Sequence, residues 1–224
     1  MSVLVLAPHA DDEVLGVGAT IAKRKSQGKR VCVAVLTGHG ENEHPIWPKS
    51  AWETTRQECR DACDYLGVDE LLFEELPAAC LDHTPNWQIN STVQKIIAEV
   101  KPDELFLPFP NDLHKDHGAI AYGASVAVRP YLELGKSVRN VLFYETLTET
   151  HLAPPFETAF QPNYFIDVSD HIDKKLSAFS RYQSQIQSDD RPRSIRGLAT
   201  LASYRGLHIG VAAAEAFVVF RMVE

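Results

Sequence analysis

Basic residues, cysteine pairs and long apolar runs are what this chain has least of, and each shortage removes a class of function. Lys and Arg number 22 against 30 Asp and Glu, a net charge of −8. Gripping a phosphate backbone needs a basic surface, so nucleic acid is not expected as a partner, nor is an anionic membrane. No stretch approaches the roughly 20 apolar residues of a membrane span, and the N-terminus lacks the charged-then-apolar layout of a signal peptide, so a cytoplasmic location is expected. The four cysteines, Cys32, Cys59, Cys63 and Cys80, form no CxxC pair; Cys59 and Cys63 stand one helical turn apart, and all four are expected as reduced thiols. There is also no internal repeat, no low-complexity tract and no GxSxG nucleophile elbow.

What is present is an α/β pattern. With 224 residues, 45% of them hydrophobic, the chain can bury one substantial core, and a single domain over 1–224 is expected. Apolar runs over Val3–Ala7 and Val31–Leu36 read as buried strands flanking a helix over Val14–Gln27 that stops at Gly28. Helices over Ala51–Leu66, ending at Gly67, and Ile89–Val100, before Pro102, alternate with strands near Leu71–Glu75 and Glu104–Leu107. A helix over Gly118–Val128, a strand over Val138–Tyr144, a strand over Tyr164–Val168, a helix near His171–Gln185 and a strand over Ala216–Met222 complete the pattern. That order predicts a mostly parallel sheet with helices on both faces. Longer connections at Gly38–Ser50, Glu149–Pro162 and Ser188–Ser194 are candidate pocket walls.

Two clusters carry the chemistry: Pro8-His9-Ala10-Asp11-Asp12-Glu13 and Asp112-Leu113-His114-Lys115-Asp116-His117. Each follows an apolar strand and precedes a helix, so both can meet at one edge of the sheet, where open α/β folds place their sites. Burying Asp11, Asp12 and Glu13 together without a cation is costly, and a divalent metal removes the conflict. With His9, Asp12 and His117 as ligands, a Zn²⁺ centre keeps a positive charge and leaves Asp11 free as a base. Gly16 and Gly18 do not make a dinucleotide turn, because they follow the turn and carboxylates occupy the place of a pyrophosphate.

These motifs resemble those of the PIG-L/LmbE-like family of zinc-dependent N-deacetylases, a (P/A)HPDDE segment and a later HxDH segment. Further similarity lies in Val14-Leu15-Gly16, Thr55-Arg56-Gln57-Glu58, Ser184-Gln185 and Ala214-Glu215-Ala216-Phe217. The resemblance implies a Rossmann-like three-layer sandwich and one Zn²⁺ held by His9, Asp12 and His117. It also implies Asp11 as general base, His114 as oxyanion stabiliser, Asp116 orienting His114 and raising its pKa, and Arg56 as a substrate contact. A small N-acetylated sugar or its glycoconjugate is the implied substrate; another N-acyl compound, or a non-catalytic binding module, is the alternative, and homo-oligomerisation is left open. Ala10 and Lys115 stand where prolines are usual, and Leu76-Pro77-Ala78 lacks a usual aspartate that Asp82 could replace. Arg56 shares a helix face with Glu53 and Arg60, so a surface ion pair is its structural alternative. Arg191, Arg193 and Arg196 are expected to be solvated, with phosphate binding as the minor reading. His39 and His44 are expected to face solvent.

Overall fold

The computed structural model describes residues 1–40 and 44–224. Apolar segments alternate along the chain as β1 (Ser2–Ala7), α1 (Asp12–Ser26), β2 (Arg30–Gly38), α2 (Lys49–Leu66), β3 (Glu70–Pro77), α3 (Asn86–Val100), β4 (Glu104–Pro108), α4 (Lys115–Ala127), α5 (Glu133–Ser137) and β5 (Asn140–Tyr144). They continue as β6 (Tyr164–Asp167), α6 (Ile172–Phe179), α7 (Ile195–Leu207) and β7 (Ala214–Arg221). One seven-stranded sheet results, in the order β3-β2-β1-β4-β5-β7-β6. The first five strands are mutually parallel, and β7 runs antiparallel to both β5 and β6.

Strand period explains the two cores. Val3, Val5 and Ala7 pack on one face with α1, α2, α6 and α7, while Leu4 and Leu6 pack on the other with α3 and α4. Because both faces are covered, the central parallel strands are apolar throughout rather than alternating with polar residues. Chain order reverses between β1 and β4, and the loops leaving these two strands carry the two motif clusters. No described helix is long and apolar enough to cross a membrane.

Several boundaries differ from the sequence expectation. The helix expected from Gly118 begins at Lys115, so Asp116 and His117 lie in its first turn. The helix expected to reach Gln185 ends at Phe179, and the chain proceeds through hydrogen-bonded turns that bring the Tyr182 hydroxyl onto Glu13. Helix α7 has no counterpart among the expected elements, because Gly197 and Gly206 within it depress helical propensity. Both glycines are required by packing: a Cβ would sit 1.9 Å from the Pro192 carbonyl oxygen or 2.5 Å from that of Val211.

Helix α1 is broken in its middle. Val17 leaves the helical region (φ −135°, ψ 15°). The groups freed there are satisfied by a buried ion pair: Glu215 accepts from Ala19 N (3.2 Å) and Thr20 N (2.7 Å), and Lys175 donates to the Leu15 carbonyl (2.8 Å) and to Glu215 (2.6 Å). N-terminal to this break, Gly16 lies against Tyr144, whose hydroxyl donates to the Leu6 carbonyl at 2.9 Å. A Cβ on Gly16 would come within 2.2 Å of the Tyr144 ring, which is fully buried and cannot swing away without losing that bond. Gly16→Ala is therefore expected to destabilise the fold by roughly 1–3 kcal/mol or more through overpacking, read from the shift of the urea midpoint. An unchanged midpoint would contradict this packing.

Candidate active site

The first cluster occupies the turn between β1 and α1, and its backbone is held in an unusual shape. Asp11 has φ 123°, a region disfavoured for a side-chain-bearing residue and costing on the order of 1–3 kcal/mol. Its carbonyl accepts from Val14 N and Leu15 N at 3.0 and 2.9 Å, its N–H donates to Glu13 Oε2 at 3.0 Å, and the Pro8 carbonyl accepts from Thr37 N and Oγ1. Together these bonds over-determine the turn and present Asp11 and Asp12 to the cavity.

Three candidate ligands come together from opposite halves of the motif pair. His9 Nδ1 and His117 Nε2 each lie 3.3 Å from Asp12 Oδ2, and one donor atom from each of the three residues falls within 4.8 Å of the others. The far nitrogen of each ring is occupied: His9 Nε2–H donates to Asp116 Oδ2 at 3.0 Å and His117 Nδ1–H to Asp112 Oδ2 at 2.7 Å. Those bonds fix the tautomers that turn lone pairs inward, the usual arrangement of carboxylate, histidine and metal. His117 Nε2 is fully buried and has no hydrogen-bond partner, so this donor set fits a divalent cation. Burial alone would lower both imidazole pKa values, yet the surrounding carboxylates outweigh it. Asp116 and Asp12 lift His9 to about 9, and Asp12 and Asp112 lift His117 to about 10. A second cluster, His9, His114 and Asp116, has comparable spacing, but its carboxylate already accepts Ala79 N at 2.6 Å and Leu81 N at 3.1 Å.

Asp11 stands beside this group and points to Arg193. Burial pushes its carboxyl up to about 8; the Arg193 guanidinium, 3.0 Å from Oδ2, opposes the shift, while Asp12 and Glu13 add to it. Arg193 also donates to Thr148 Oγ1 (2.9 Å) and pairs with Glu149 (3.3 Å). This overturns the expectation of a solvated arginine: its side chain is about four-fifths buried because it bridges the loop after β5 to the β1–α1 turn. Glu13 also departs from the expected three-carboxylate conflict. It turns away from the ligands, accepts from the Tyr182 hydroxyl and lies near Cys59; burial raises it to about 7.

His114 packs against His9, with ring centroids 4.4 Å apart. Its relation to Asp116 differs from the expectation: the carboxylate is 3.9 Å from Nδ1, which accepts instead from the Asp116 backbone N–H at 3.3 Å. Burial and neighbouring His9 lower the His114 pKa, outweighing the opposing effect of Asp116. A neutral His114 with an occupied Nδ1 carries its proton on Nε2 and keeps a donor there. Asp112, which had no assigned role, is the orienting partner of His117; its place in the same acidic cluster five residues earlier was the available signal.

A cavity of about 300 Å³ opens from His9, Asp11, His114 and His117 past Arg56, Arg193, Trp47 and Trp52. Arg56 lines it, but its pair is Glu75 on β3 rather than Glu53, and it donates to the Glu74 carbonyl at 2.7 Å. Asp82 lies beside His83 and is not among the lining residues. His44, expected in solvent, is buried against Trp47 and Trp52 with Nε2–H donated to the Ala78 carbonyl at 2.8 Å. His39 accepts from His44 N at 3.2 Å. Each expected wall segment contributes, through Trp47, Glu149 and Arg193, while 41–43 of the Gly38–Ser50 segment lie outside the described residues.

Comparison with known proteins adds four findings. The family model described as PIG-L: GlcNAc-PI de-N-acetylase matches residues 4–128. The chain is 27% identical over 192 residues to a probable N-acetyl-α-D-glucosaminyl L-malate deacetylase 2 of Bacillus cereus, covering 83% of this chain and 84% of the relative. It is 26% identical over 218 residues to a diacetylchitobiose deacetylase of Thermococcus kodakarensis, covering 95% and 80%. Among solved structures, a conserved protein of Thermus thermophilus superposes with a TM-score of 0.75 at 28% identity, covering 99% of this chain and 96% of that one.

Two outcomes follow from the geometry. Asp112→Asn removes the carboxylate behind His117, and affinity for a divalent cation, measured by competition with a chromophoric chelator, is expected to fall roughly 10–100-fold. In chelator, stability is expected to fall as pH rises. The raised His9 and His117 pKa values contribute stability that is fully present below the ordinary 6.5 and lost as pH passes through about 9 and about 10. Asp11 acts in the same sense, since the fold keeps its proton up to about 8 while the unfolded chain releases it near 3.8. Urea midpoints at pH 6, 8 and 9.5 test this, and added zinc, which requires deprotonated imidazoles, should oppose the slope. A midpoint that climbs with pH in chelator would refute the charge arrangement.

Proposed function

The chain belongs to the PIG-L family of de-N-acetylases, and from that premise we propose that it is a metal-dependent hydrolase removing an acetyl group from the amine of an N-acetylated amino sugar or its glycoconjugate. We assign His9, Asp12 and His117 as ligands of one Zn²⁺ per chain, Asp11 and His114 as catalytic residues, Asp116 as a positioning residue and Arg56 as a substrate contact. The observation that carries this reading is the buried, unpartnered Nε2 of His117 beside His9 Nδ1 and Asp12 Oδ2, with Asp11 next to them. Relatives that act on N-acetylglucosaminyl malate and on diacetylchitobiose support an N-acetyl sugar as the substrate class.

A bound divalent ion would supply Lewis acidity to the scissile carbonyl and acidify water at the site toward neutral pKa. With the charge of such an ion beside it Asp11 would be ionised, and it takes a proton from the attacking water through the oxygen that Arg193 leaves free. The water oxygen bonds to the acetyl carbon, and the Nε2–H of His114 donates to the oxygen on which charge develops. As the C–N bond breaks, Asp11 returns its proton to the leaving amine, so acetate and a free amino sugar depart. His114 acts here as a neutral donor; a charged imidazole is not needed. Asp116 acts at one remove, setting the His9 tautomer and holding the Ala79–Leu81 segment.

Acetate release from a panel of N-acetyl sugars, with and without chelator, tests the proposal. Asp11→Asn should keep stoichiometric zinc and lose about 10²–10⁴-fold in kcat. His117→Ala should lose the metal, measured by elemental analysis. Full turnover in either variant, or acetate release that is indifferent to chelator, would sink the assignment; silence across the panel with zinc bound would shift the substrate to another N-acyl amide.

A further inference from the structure

Behind the wall of the active-site cavity, another group of ligand-type side chains is sealed in the core. We propose that Cys59, Cys63 and Glu13 form a second cation site, separate from the group of His9, Asp12 and His117, that holds a soft divalent ion of the zinc and cadmium class. Cys59 and Cys63 stand one helical turn apart on α2, so both sulfurs project from one face of the helix. One donor atom from each of the three residues falls within 4.8 Å of the others, and all three side chains are buried.

A missing charge sets this group apart. Every other buried carboxylate among the described residues is paired with a Lys, Arg or His, as Glu104 is with Arg24, Glu145 with Arg205 and Glu215 with Lys175. Glu13 has no such pair. Its Oε1 accepts from the Tyr182 hydroxyl and lies 3.8 Å from Cys59 Sγ, and its Oε2 accepts from Asp11 N–H at 3.0 Å. A carboxylate enclosed without a positive partner is costly, and the groups set against this one are two thiols, which are metal ligands once they lose their protons. A cation bound between them supplies the charge that Lys, Arg or His supplies elsewhere in the core.

The spacing suits tetrahedral coordination. With metal–sulfur and metal–oxygen bonds of about 2.3 and 2.1 Å, the sulfur–oxygen edge of a tetrahedron is roughly 3.6 Å, close to the 3.8 Å between Cys59 Sγ and Glu13 Oε1. Tyr182, fully buried with its hydroxyl on that same carboxylate oxygen, is placed to offer its oxygen as the fourth donor while keeping its proton. Binding forms two metal–sulfur bonds and one metal–carboxylate bond, and the two thiol protons leave to solvent. The centre keeps one negative charge, as a Cys₃His zinc site does, and Asp11 N–H still donates to Glu13 Oε2. Sulfur donors select Zn²⁺ or Cd²⁺ over Mg²⁺ or Ca²⁺. Open space is one helical turn away: Thr55, four residues before Cys59 on the same face of α2, lines the active-site cavity.

The reduced full chain is titrated with Cd²⁺ and followed by ultraviolet absorbance. Thiolate-to-cadmium charge transfer reports ligation by sulfur, which the group of His9, Asp12 and His117 cannot give because it contains none. A saturable band is expected in the unmodified chain and in His117→Ala, and its loss in the double variant Cys59→Ala/Cys63→Ala. With Zn²⁺ as the probe, elemental analysis after desalting should find about one ion per chain fewer in the double variant than in the unmodified chain. Absence of the band in the unmodified chain overturns the site, whether or not the double variant folds. A band that survives removal of both thiols also overturns it, because Cys32 or Cys80 would then be the ligand. An equal zinc count in the two chains does the same. None of these readouts uses acetate release, so failure of this site leaves the deacetylase reading intact, and a chain silent toward N-acetyl sugars leaves this site intact.

Discussion

Two imidazoles share one buried carboxylate, Asp12, and each is backed by another, Asp112 behind His117 and Asp116 behind His9. Such a concentration of negative charge is tolerable in a protein interior only when positive charge sits among it, as protons on the rings or as a cation between them. In the absence of a cation the rings answer by holding protons to unusually high pH, which is why His9 and His117 are raised to about 9 and about 10. The same residues with lone pairs turned inward suit a divalent ion, so one electrostatic constraint accounts both for the orphaned His117 nitrogen and for the proposed metal chemistry.

Much of the surrounding structure serves to hold that arrangement. Among the described residues, the non-glycine positions with positive φ are Asp11, Ala79, Lys101 and Thr148, and all but Lys101 border the site. Asp11 carries the proposed base, the Ala79 N–H ties down Asp116, and the Thr148 hydroxyl receives Arg193. Strain of this kind persists only where neighbouring contacts over-determine it. Some of those contacts reach far into the fold: the break in α1 is sealed by Glu215 of β7 and Lys175 of α6, which anchors the helix whose first turn bears Asp12.

The cavity is two-sided in character. Its inner end is charged and hydrogen-bonded, suited to moving a proton and stabilising a developing oxyanion, while its outer wall is aromatic and preformed. The charged groups and the aromatic wall thus reside on different elements: the first on the turns after β1 and β4, the second on the segment leading into α2 and on its first turn. Loops and helix starts of this sort can vary without disturbing the sheet, which lets one scaffold accept different N-acetyl compounds.

The sequence by itself determined the parallel core and the place of the chemistry. Runs such as Val3–Ala7 and Val31–Leu36 read as strands covered on both sides and are so paired, Gly28 and Gly67 adopt the positive φ that ends helices, and each motif cluster sits between a strand and a helix. These features are local, set by periodicity and backbone preference, and so can be read along the chain. Tertiary structure alone decided the contacts that join distant segments. Arg193 lies 182 residues from the Asp11 it holds, β7 enters antiparallel between β5 and β6, and His44 is drawn from an apparent surface loop to the Ala78 carbonyl. The same holds for Asp116, whose carboxylate serves His9 and the Ala79–Leu81 backbone more closely than the neighbouring His114. A charged or polar side chain takes whichever partner the fold brings within about 3 Å, and in a closed sheet-and-helix core that partner is set by strand order, not by distance in sequence.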